Sequence, residues 1–444
     1  MGSVFTLLFL LNNWGEGDTM KSKYTISEKS ESHIFFHSFL SNKTIKAPLE
    51  AIKSYEDLKK VTGINEYLER YQFEASDSDD DHWNEYFVEM KEEKLQLIIM
   101  PHQNCNFRCA YCYEKFEKNK MSEDVQKSLV KYVERKLQDD SKIKMLLVNW
   151  FGGEPLLAKD VIYNLSEEFM RICKDKKVKY VSQITSNGYL LNYETFNNLL
   201  KYNVLYYQIS LDGDSETHDK HRMLIGGQPT YNKILKNLVE SKNSRDNFKI
   251  TIRMNLGIDN HKAVPNFIAT IKENFDNDKR YDIYFQDIRY WGGEHSMNDL
   301  PEEVVYSEFQ NAVKKGANIC NPKSLFARNS SCFAASQNSF IIGVDGLLYK
   351  CTIALYDDIN KVGTLEKDGS LKLDSAKMNL WVNGGKNDSV CHSCHFSPVC
   401  HGDSCPLHRI KKKKQPCPTA KYNTKEIINI IDSKGEIDAE LSIK

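Results

Sequence analysis

The sequence has almost no net charge, no long apolar run and no even spread of cysteine. Its 60 basic and 61 acidic residues leave a formal charge of −1, so no global field favours nucleic acid or an anionic membrane. The run Val4–Leu11 is too short to span a bilayer, and no Lys or Arg precedes it, which argues against a signal peptide. Twelve cysteines in 444 residues do not form the scaffold of a small secreted domain. Three fall at 105–112, eight between 320 and 417, and only Cys173 lies between the groups. Such clustering in a long chain, 41% hydrophobic and 27% charged, favours metal over disulfides and predicts a reducing cytoplasm in which oxygen is harmful. The length is enough for a large core and more than one domain.

What is present centres on Cys105-Asn106-Phe107-Arg108-Cys109-Ala110-Tyr111-Cys112. Its cysteines, spaced C-x3-C-x2-C, follow the apolar run Leu95–Met100, which reads as a strand. Three thiolates bind three irons of a 4Fe–4S cube, and with no fourth cysteine nearby the fourth iron is open to a small-molecule ligand. Zinc is the competing reading, but it usually takes four N/S ligands in paired C-x2-C units.

Ahead of this stretch, Tyr24–Ile26 and His33–Phe39 are β-prone, and helix-like pieces lie near Leu49–Lys60 and Ile64–Tyr71. The acidic, Ser-rich stretch Glu74–Asp81 reads as a linker. Two readings of this N-terminal piece stand side by side. It is a cap on the main domain, or a docking module whose strand edge accepts an extended peptide by β-augmentation. Residues 1–19 are a special case. Trp14-Gly15-Glu16-Gly17 must be encoded by a purine-rich stretch just upstream of the codon for Met20, as a bacterial ribosome-binding site would be. Met20 is therefore expected to be the true start, with residues 1–19 a mis-assigned leader.

Beyond the linker, strand-like and helix-like segments alternate. Strands read at Leu95–Met100, Met145–Phe151, Lys179–Thr185, Leu205–Leu211, Lys249–Asn255 and Ile283–Arg289. Helical patterns follow at Ser122–Leu137, Ala158–Cys173, Tyr193–Lys201, Tyr231–Ser241, Ala263–Asn274 and Glu302–Lys315. In the first of these, Val125, Leu129, Val133 and Leu137 form an apolar stripe. Six βα units predict a parallel sheet with helices outside. Eight would close a barrel, and six predict a partial one. Functional residues of such folds gather at the carboxyl ends of strands. The cysteines end the first strand, Gly152-Gly153-Glu154-Pro155 the second and Ser186-Asn187-Gly188 the third. Ser210-Leu211-Asp212-Gly213 ends the fourth, and Arg253 and Asn255 the fifth.

With Tyr111 before the third cysteine, this set of motifs resembles the radical S-adenosylmethionine (radical SAM) superfamily. The resemblance implies a partial (β/α)6 barrel, a 4Fe–4S cluster on Cys105, Cys109 and Cys112, and S-adenosylmethionine chelating the open iron. Gly152, Gly153 and Glu154 match the GGE motif that contacts the cofactor's amino group. Glycines let the backbone come close, and an acid accepts from an ammonium. A tight strand-to-helix turn is the plainer alternative. Ser186 and Asn187 are placed to bond ribose hydroxyls or the carboxylate, Arg253 to pair with that carboxylate as a planar fork, and Tyr111 to line the adenine. Asp212, followed by His218-Asp219 and Arg222, is similar to runs in the peptide-modifying branch. A capped turn with salt bridges would explain it equally well.

The C-terminal cysteines carry a second signal. Cys332, Gly346 and Cys351 form C-x13-G-x4-C. Cys391-x2-Cys394-x5-Cys400-x4-Cys405 and Cys417 follow. This resembles the SPASM domain, which binds two auxiliary 4Fe–4S clusters. The resemblance assigns one to Cys332, Cys351 and Cys405 with Cys320 as a candidate fourth ligand, and the other to Cys391, Cys394, Cys400 and Cys417. The interval His401–Ser404 is one residue longer than the usual three, which predicts a bulge and leaves the role of Cys405 open. A zinc ribbon on Cys391, Cys394, Cys400 and Cys405 is the alternative. Asp345-Gly346 reads as a hairpin turn between Phe340–Val344 and Leu347–Lys350, Cys173 as an ordinary buried thiol, and Lys411–Lys414 as a solvated basic run.

The expected organisation is a small N-terminal α+β domain over 20–90, a radical SAM core over 91–317 and a Cys-rich SPASM domain over 318–444. The resemblance implies a cytoplasmic enzyme that uses a 5′-deoxyadenosyl radical to abstract hydrogen from a precursor peptide. It would install a thioether or C–C cross-link in a ribosomally made peptide, with an electron donor such as flavodoxin or ferredoxin and no nucleic-acid or membrane partner. The alternative is an anaerobic sulfatase maturase that forms formylglycine. Members of that family usually begin close to the cysteine triad, whereas 85 residues precede it here, counting from Met20.

Overall fold

Strand-forming runs rich in Ile, Val and Phe, each followed by an amphipathic helix, build a parallel sheet in the computed structural model of the chain. The structure describes residues 5–8, 21–74, 92–289, 300–327, 331–385 and 388–442. They divide into one unit of residues 89–320 and 333–382 and a second of residues 1–88, 321–332 and 383–444.

In the first unit, the parallel strands are Lys94–His102, Met145–Gly152, Lys179–Ser186, Val204–Ser210, Lys249–Leu256 and Tyr281–Asp287. They neighbour one another in chain order. Helices Glu123–Asp139, Lys159–Lys176, Tyr193–Lys201, Tyr231–Ser241, Val264–Phe275 and Glu302–Lys314 follow them in turn. This is the partial (β/α)6 barrel expected from the alternation. The first helix starts where Ser122 accepts the amide of Val125, and its stripe residues Leu129, Val133 and Leu137 are buried. Trp150, Phe169, Phe196, Phe267 and Phe285 are fully buried. Each is worth about 2–3 kcal/mol of apolar transfer.

The sheet continues past the barrel. Ser339–Ile342 pairs in parallel with the first barrel strand, then turns through Asp345-Gly346 into antiparallel Leu347–Tyr349. Gly346 has φ +79, the left-handed value that makes glycine suitable there. Lys361–Leu365 and Leu371–Leu373 complete ten strands. The hairpin expected at Asp345-Gly346 is therefore present.

In the second unit, Thr25–Lys29, His33–Ser38 and Lys43–Pro48 form an antiparallel meander. Helices Tyr55–Lys59 and Ile64–Arg70 follow. Ile34, Phe36, Ile45, Leu58, Ile64 and Leu68 share one core. The strand Lys43–Pro48 has no counterpart in the sequence reading. Its alternation is carried by only Ile45 and Ala47 facing inward, while Lys46 points outward to Asp432 and Glu440. The C-terminal strand Ala439–Ser442 adds in parallel to Lys43–Pro48, and Phe5–Leu8 adds in parallel to Ala439–Ser442. The remainder of the expected 1–19 leader, and residues 75–81 of the expected linker, lie outside the described residues.

Candidate functional site

The first barrel strand ends in a cysteine loop held from several sides. Asn104 Oδ1 accepts the amide of Cys105 at 2.8 Å, and Arg108 donates to the carbonyls of Cys105 and Phe107 at 2.8 and 2.7 Å. Phe107–Cys109 pairs antiparallel with Arg222–Leu224, with Cys109 opposite Arg222. Ala110 N donates to His221 O at 2.9 Å. Cys105 is buried, and Cys109 and Cys112 are partly exposed. Burial pushes all three thiols up, Cys112 to about 12, and the nearby Glu154 adds to the rise at Cys105. Such thiols hold their protons at neutral pH, so loading iron must expel them.

The second strand end abuts this loop. A Cβ on Gly152 would lie 2.4 Å from His102 O, and one on Gly153 2.5 Å from Asn104 O. The Glu154 amide donates to Asn104 O at 3.0 Å. These glycines thus admit the cysteine loop itself. The Glu154 carboxylate is fully buried. It accepts Leu156 N at 2.9 Å, Ser186 Oγ at 2.8 Å and Asn187 N at 2.8 Å. Burial raises its pKa, and the three donors oppose that rise. Asn187 Nδ2 donates to Asn106 Oδ1 at 2.8 Å and to Cys105 Sγ at 3.7 Å. Glu154, Ser186 and Asn187 therefore meet beside Cys105.

The fourth and fifth strand ends meet Tyr111. Its hydroxyl donates to Asp212 Oδ2 in a short bond, and accepts from Arg222 Nη1 at 2.6 Å and Asn255 Nδ2 at 3.0 Å. Asp212 Oδ1 accepts the Asn255 amide at 2.9 Å, and Arg222 Nη1 lies 3.8 Å from Asp212 Oδ2. His218 Nδ1 accepts the Asp212 amide at 3.0 Å. Burial holds His218 well below the usual histidine range, so the ring is neutral. Thr230 links His218 Nε2, 3.1 Å away, to the Arg222 carbonyl at 2.6 Å. The run Asp212, His218, Arg222 thus locks the cysteine loop, and Asp219 caps the next helix through Thr230 N and Tyr231 N. Arg222 and Asn255 belong to this network although the motif search gave them no cofactor role. Their signal was position alone: a cation after the SLDG turn and an amide at a strand end.

Arg253 Nε is buried and has no partner among the described residues. An unpaired buried guanidinium donor requires explanation, and a ligand carboxylate would satisfy it. The three thiols, the orphaned Arg253 donor and the glycines that bring the second strand end against the cysteine loop fit a cluster bearing an amino-acid ligand.

A second constellation lies in residues 383–444. Cys391, Cys394, Cys400 and Cys417 line one open recess together with Lys421. Cys405 is not in that lining. Its sulfur accepts His408 N at 3.4 Å and caps the helix Pro406–Lys412. His401 and Gly402 are both left-handed, at φ +52 and +71, and end the helix Ser397–Cys400. Cys332 belongs to this unit, whereas Cys320 and Cys351 belong to the barrel unit. Cys173 is buried in its helix, and burial raises its thiol to about 12. Among the described residues, which include all twelve cysteines, no disulfide forms. Nor do three or more His, Cys, Asp or Glu converge tightly enough there to hold a single metal ion. A cube spreads its thiolates further apart than one ion does, and a cysteine-lined recess suits it.

Barrel and site together place a cysteine loop and a ring of buried polar groups at the strand ends of an α/β fold. Residues 99–271 match the Radical SAM superfamily, so the chain is an enzyme that carries a radical SAM domain, followed by a cysteine-rich C-terminal region. The family's cofactors are a 4Fe–4S cluster and S-adenosylmethionine. The cysteine-type anaerobic sulfatase-maturating enzyme of Clostridium novyi (strain NT) is 23% identical over 354 residues, covering 69% of this chain and 87% of that enzyme. The Fe-coproporphyrin III synthase of Methanosarcina barkeri is 25% identical over 227 residues, about half of each chain (50% and 51%). The fold is similar to a solved structure described as native anSMEcpe with bound AdoMet and Cp18Cys peptide. The TM-score is 0.57 at 19% identity, covering 78% of this chain and 99% of that one. No helix among the described residues is long and apolar enough to cross a membrane.

Proposed function

We propose that the chain modifies a ribosomally made peptide, abstracting a hydrogen and forming a thioether or C–C cross-link. The reading rests chiefly on the cysteine loop, which is locked at the barrel mouth between Glu154, Asn187 and Arg222. When bound, the cluster and S-adenosylmethionine supply a 5′-deoxyadenosyl radical at that mouth. The chain's own residues hold and orient. Cys105, Cys109 and Cys112 would ligate three irons. Arg253 would take the cofactor's carboxylate, and the Glu154, Ser186 and Asn187 cluster its polar groups. Asp212 and Arg222 fix Tyr111, and with it the loop. Cys391, Cys394, Cys400 and Cys417 would ligate a further cluster, and an external one-electron donor would reduce the enzyme. The N-terminal sheet, outside the matched residues 99–271, would dock the peptide along a strand edge. Formylglycine formation is the second reading, favoured by the Clostridium novyi relative.

The test is anaerobic reconstitution with iron and sulfide, then reduction with S-adenosylmethionine and candidate peptides. The candidates are short peptides encoded beside this gene and a peptide bearing a sulfatase active-site cysteine. Loss of two hydrogens from the former supports cross-linking. Exchange of sulfur for oxygen together with loss of two hydrogens in the latter supports formylglycine. If no 5′-deoxyadenosine forms at all, both readings fall.

A further inference from the structure

The recess lined by Cys391, Cys394, Cys400 and Cys417 has a cation built into its wall. Arg409, in the helix Pro406–Lys412, directs three hydrogen bonds inward. Nη1 donates to Asp388 Oδ2 at 2.7 Å, and Nη2 to Gly402 O at 3.1 Å and to Cys391 Sγ at 3.6 Å. The pair is largely buried, with 16% of the Arg409 side chain and 11% of the Asp388 side chain exposed. Asp388 is itself fixed, because Oδ1 accepts the amides of Val390 and Cys391 at 3.1 and 3.4 Å and caps the turn that carries Cys391. One carboxylate therefore sets both the backbone of Cys391 and the guanidinium aimed at its sulfur. Gly402 closes the arrangement, since a Cβ there would lie 3.3 Å from Cys391 Sγ. Lys421 also lines the recess, with Cys394. A planar guanidinium tied on two sides loses little freedom in making its third bond. It is a preorganised donor rather than a mobile counterion.

We infer that Arg409 is a positioning residue that raises the reduction potential of the cluster in this recess, with Asp388 as its anchor and its brake. This rests on the proposed assignment of a 4Fe–4S cluster to these four cysteines. Reduction adds negative charge to the cluster, and an N–H aimed at a ligand sulfur stabilises that charge, so hydrogen bonds to sulfur tune the potential. The neighbouring Asp388 carboxylate offsets part of the guanidinium's charge. The two residues must then act with opposite sign, although they form one ion pair.

The experiment is an EPR-monitored redox titration of the reconstituted full chain, with iron counted per chain. Arg409→Met is expected to keep its iron and to move one midpoint to more negative potential. Asp388→Asn keeps a capping oxygen but removes the offsetting charge, and is expected to move the same midpoint to more positive potential. Unmoved midpoints, or shifts of the same sign in both variants, overturn the inference. Should Arg409→Met fail to retain its iron, Arg409→Lys takes its place: a smaller negative shift supports the inference, and a positive shift or none overturns it. Cys391→Ala/Cys394→Ala tests the assignment beneath. If that variant keeps its full iron, the recess holds no cluster. If it loses about four irons while the Arg409 variants titrate like the wild type, only the inference about Arg409 fails.

Discussion

At the scale of single residues, the site is a set of committed polar groups. The Tyr111 hydroxyl serves three partners at once, Asp212, Arg222 and Asn255. Tyr111→Phe strands them in a buried setting and is expected to cost about 2 kcal/mol, read as a lower midpoint in chemical denaturation of the iron-free chain. That network was not legible in the sequence, because its partners stand 101, 111 and 144 residues from Tyr111. That Cys105, Cys109 and Cys112 share one loop was legible, because so short a spacing after a strand leaves the three thiols close together. A second residue outside the site makes the chain sensitive to acid. His37 is fully buried, 2.9 Å from Thr44 Oγ1 and stacked on Phe326 at 4.4 Å. Burial lowers its pKa to about 3. The unfolded chain therefore binds the proton first, and stability falls as the pH drops from about 6.5 toward the folded value. Between pH 6.5 and 5 the loss from this group is expected to be about 2 kcal/mol. His37→Gln should flatten that part of a stability-versus-pH curve measured by urea denaturation.

Elements meet at the glycines. The end of the second barrel strand can touch the cysteine loop only because Gly152, at φ +121, and Gly153 carry no Cβ. Gly152→Ala drives a methyl into the His102 carbonyl and is expected to cost roughly 2–4 kcal/mol and to lower iron retention at the triad. Gly227→Ala is the matched comparison. That glycine is also left-handed, at φ +81, but nothing lies within 4 Å of its would-be Cβ. It should cost only about 1 kcal/mol and leave iron unchanged. Differential scanning calorimetry with iron analysis separates the two. The GGEP motif was visible in the sequence as a turn beside the site. That its glycines face the cysteine loop, and that Glu154 accepts from Leu156, Ser186 and Asn187, needed the register of three adjacent strands. The barrel strands themselves were readable because each is rich in β-branched, Leu or aromatic residues, in an unbroken apolar run at Leu97–Met100 and interspersed with polar residues at Lys179–Ser186. Lys43–Pro48 was not, because two lysines and a proline mask its two inward positions.

For the whole molecule, the two cysteine regions should be separable. Changing Cys105, Cys109 and Cys112 together to Ala is expected to abolish 5′-deoxyadenosine formation while part of the iron stays bound. Complete loss of iron would show that the regions load as one. The second unit has its own weak point in the C-terminal strand, where Ala439 and Leu441 are buried and Asp438 pairs with Lys43 and Lys323. Deleting residues 437–444 is expected to remove at least about 3 kcal/mol from that unit alone. Calorimetry of the truncated chain is expected to show part of the unfolding heat moved to lower temperature than in the full chain. This strand escaped the sequence reading because four residues at a chain end carry too little pattern to name a partner. The same strand sets an order of events during synthesis. Asp438 accepts the Thr44 amide across 394 residues of chain, and the next residues complete the N-terminal sheet. A ribosome that has released the first seventy residues has made a sheet still missing one of its interior strands. The N-terminal sheet can therefore be completed only after residue 442 has been made. Until residues 439–442 are made, its open edge must be kept from pairing with other nascent chains.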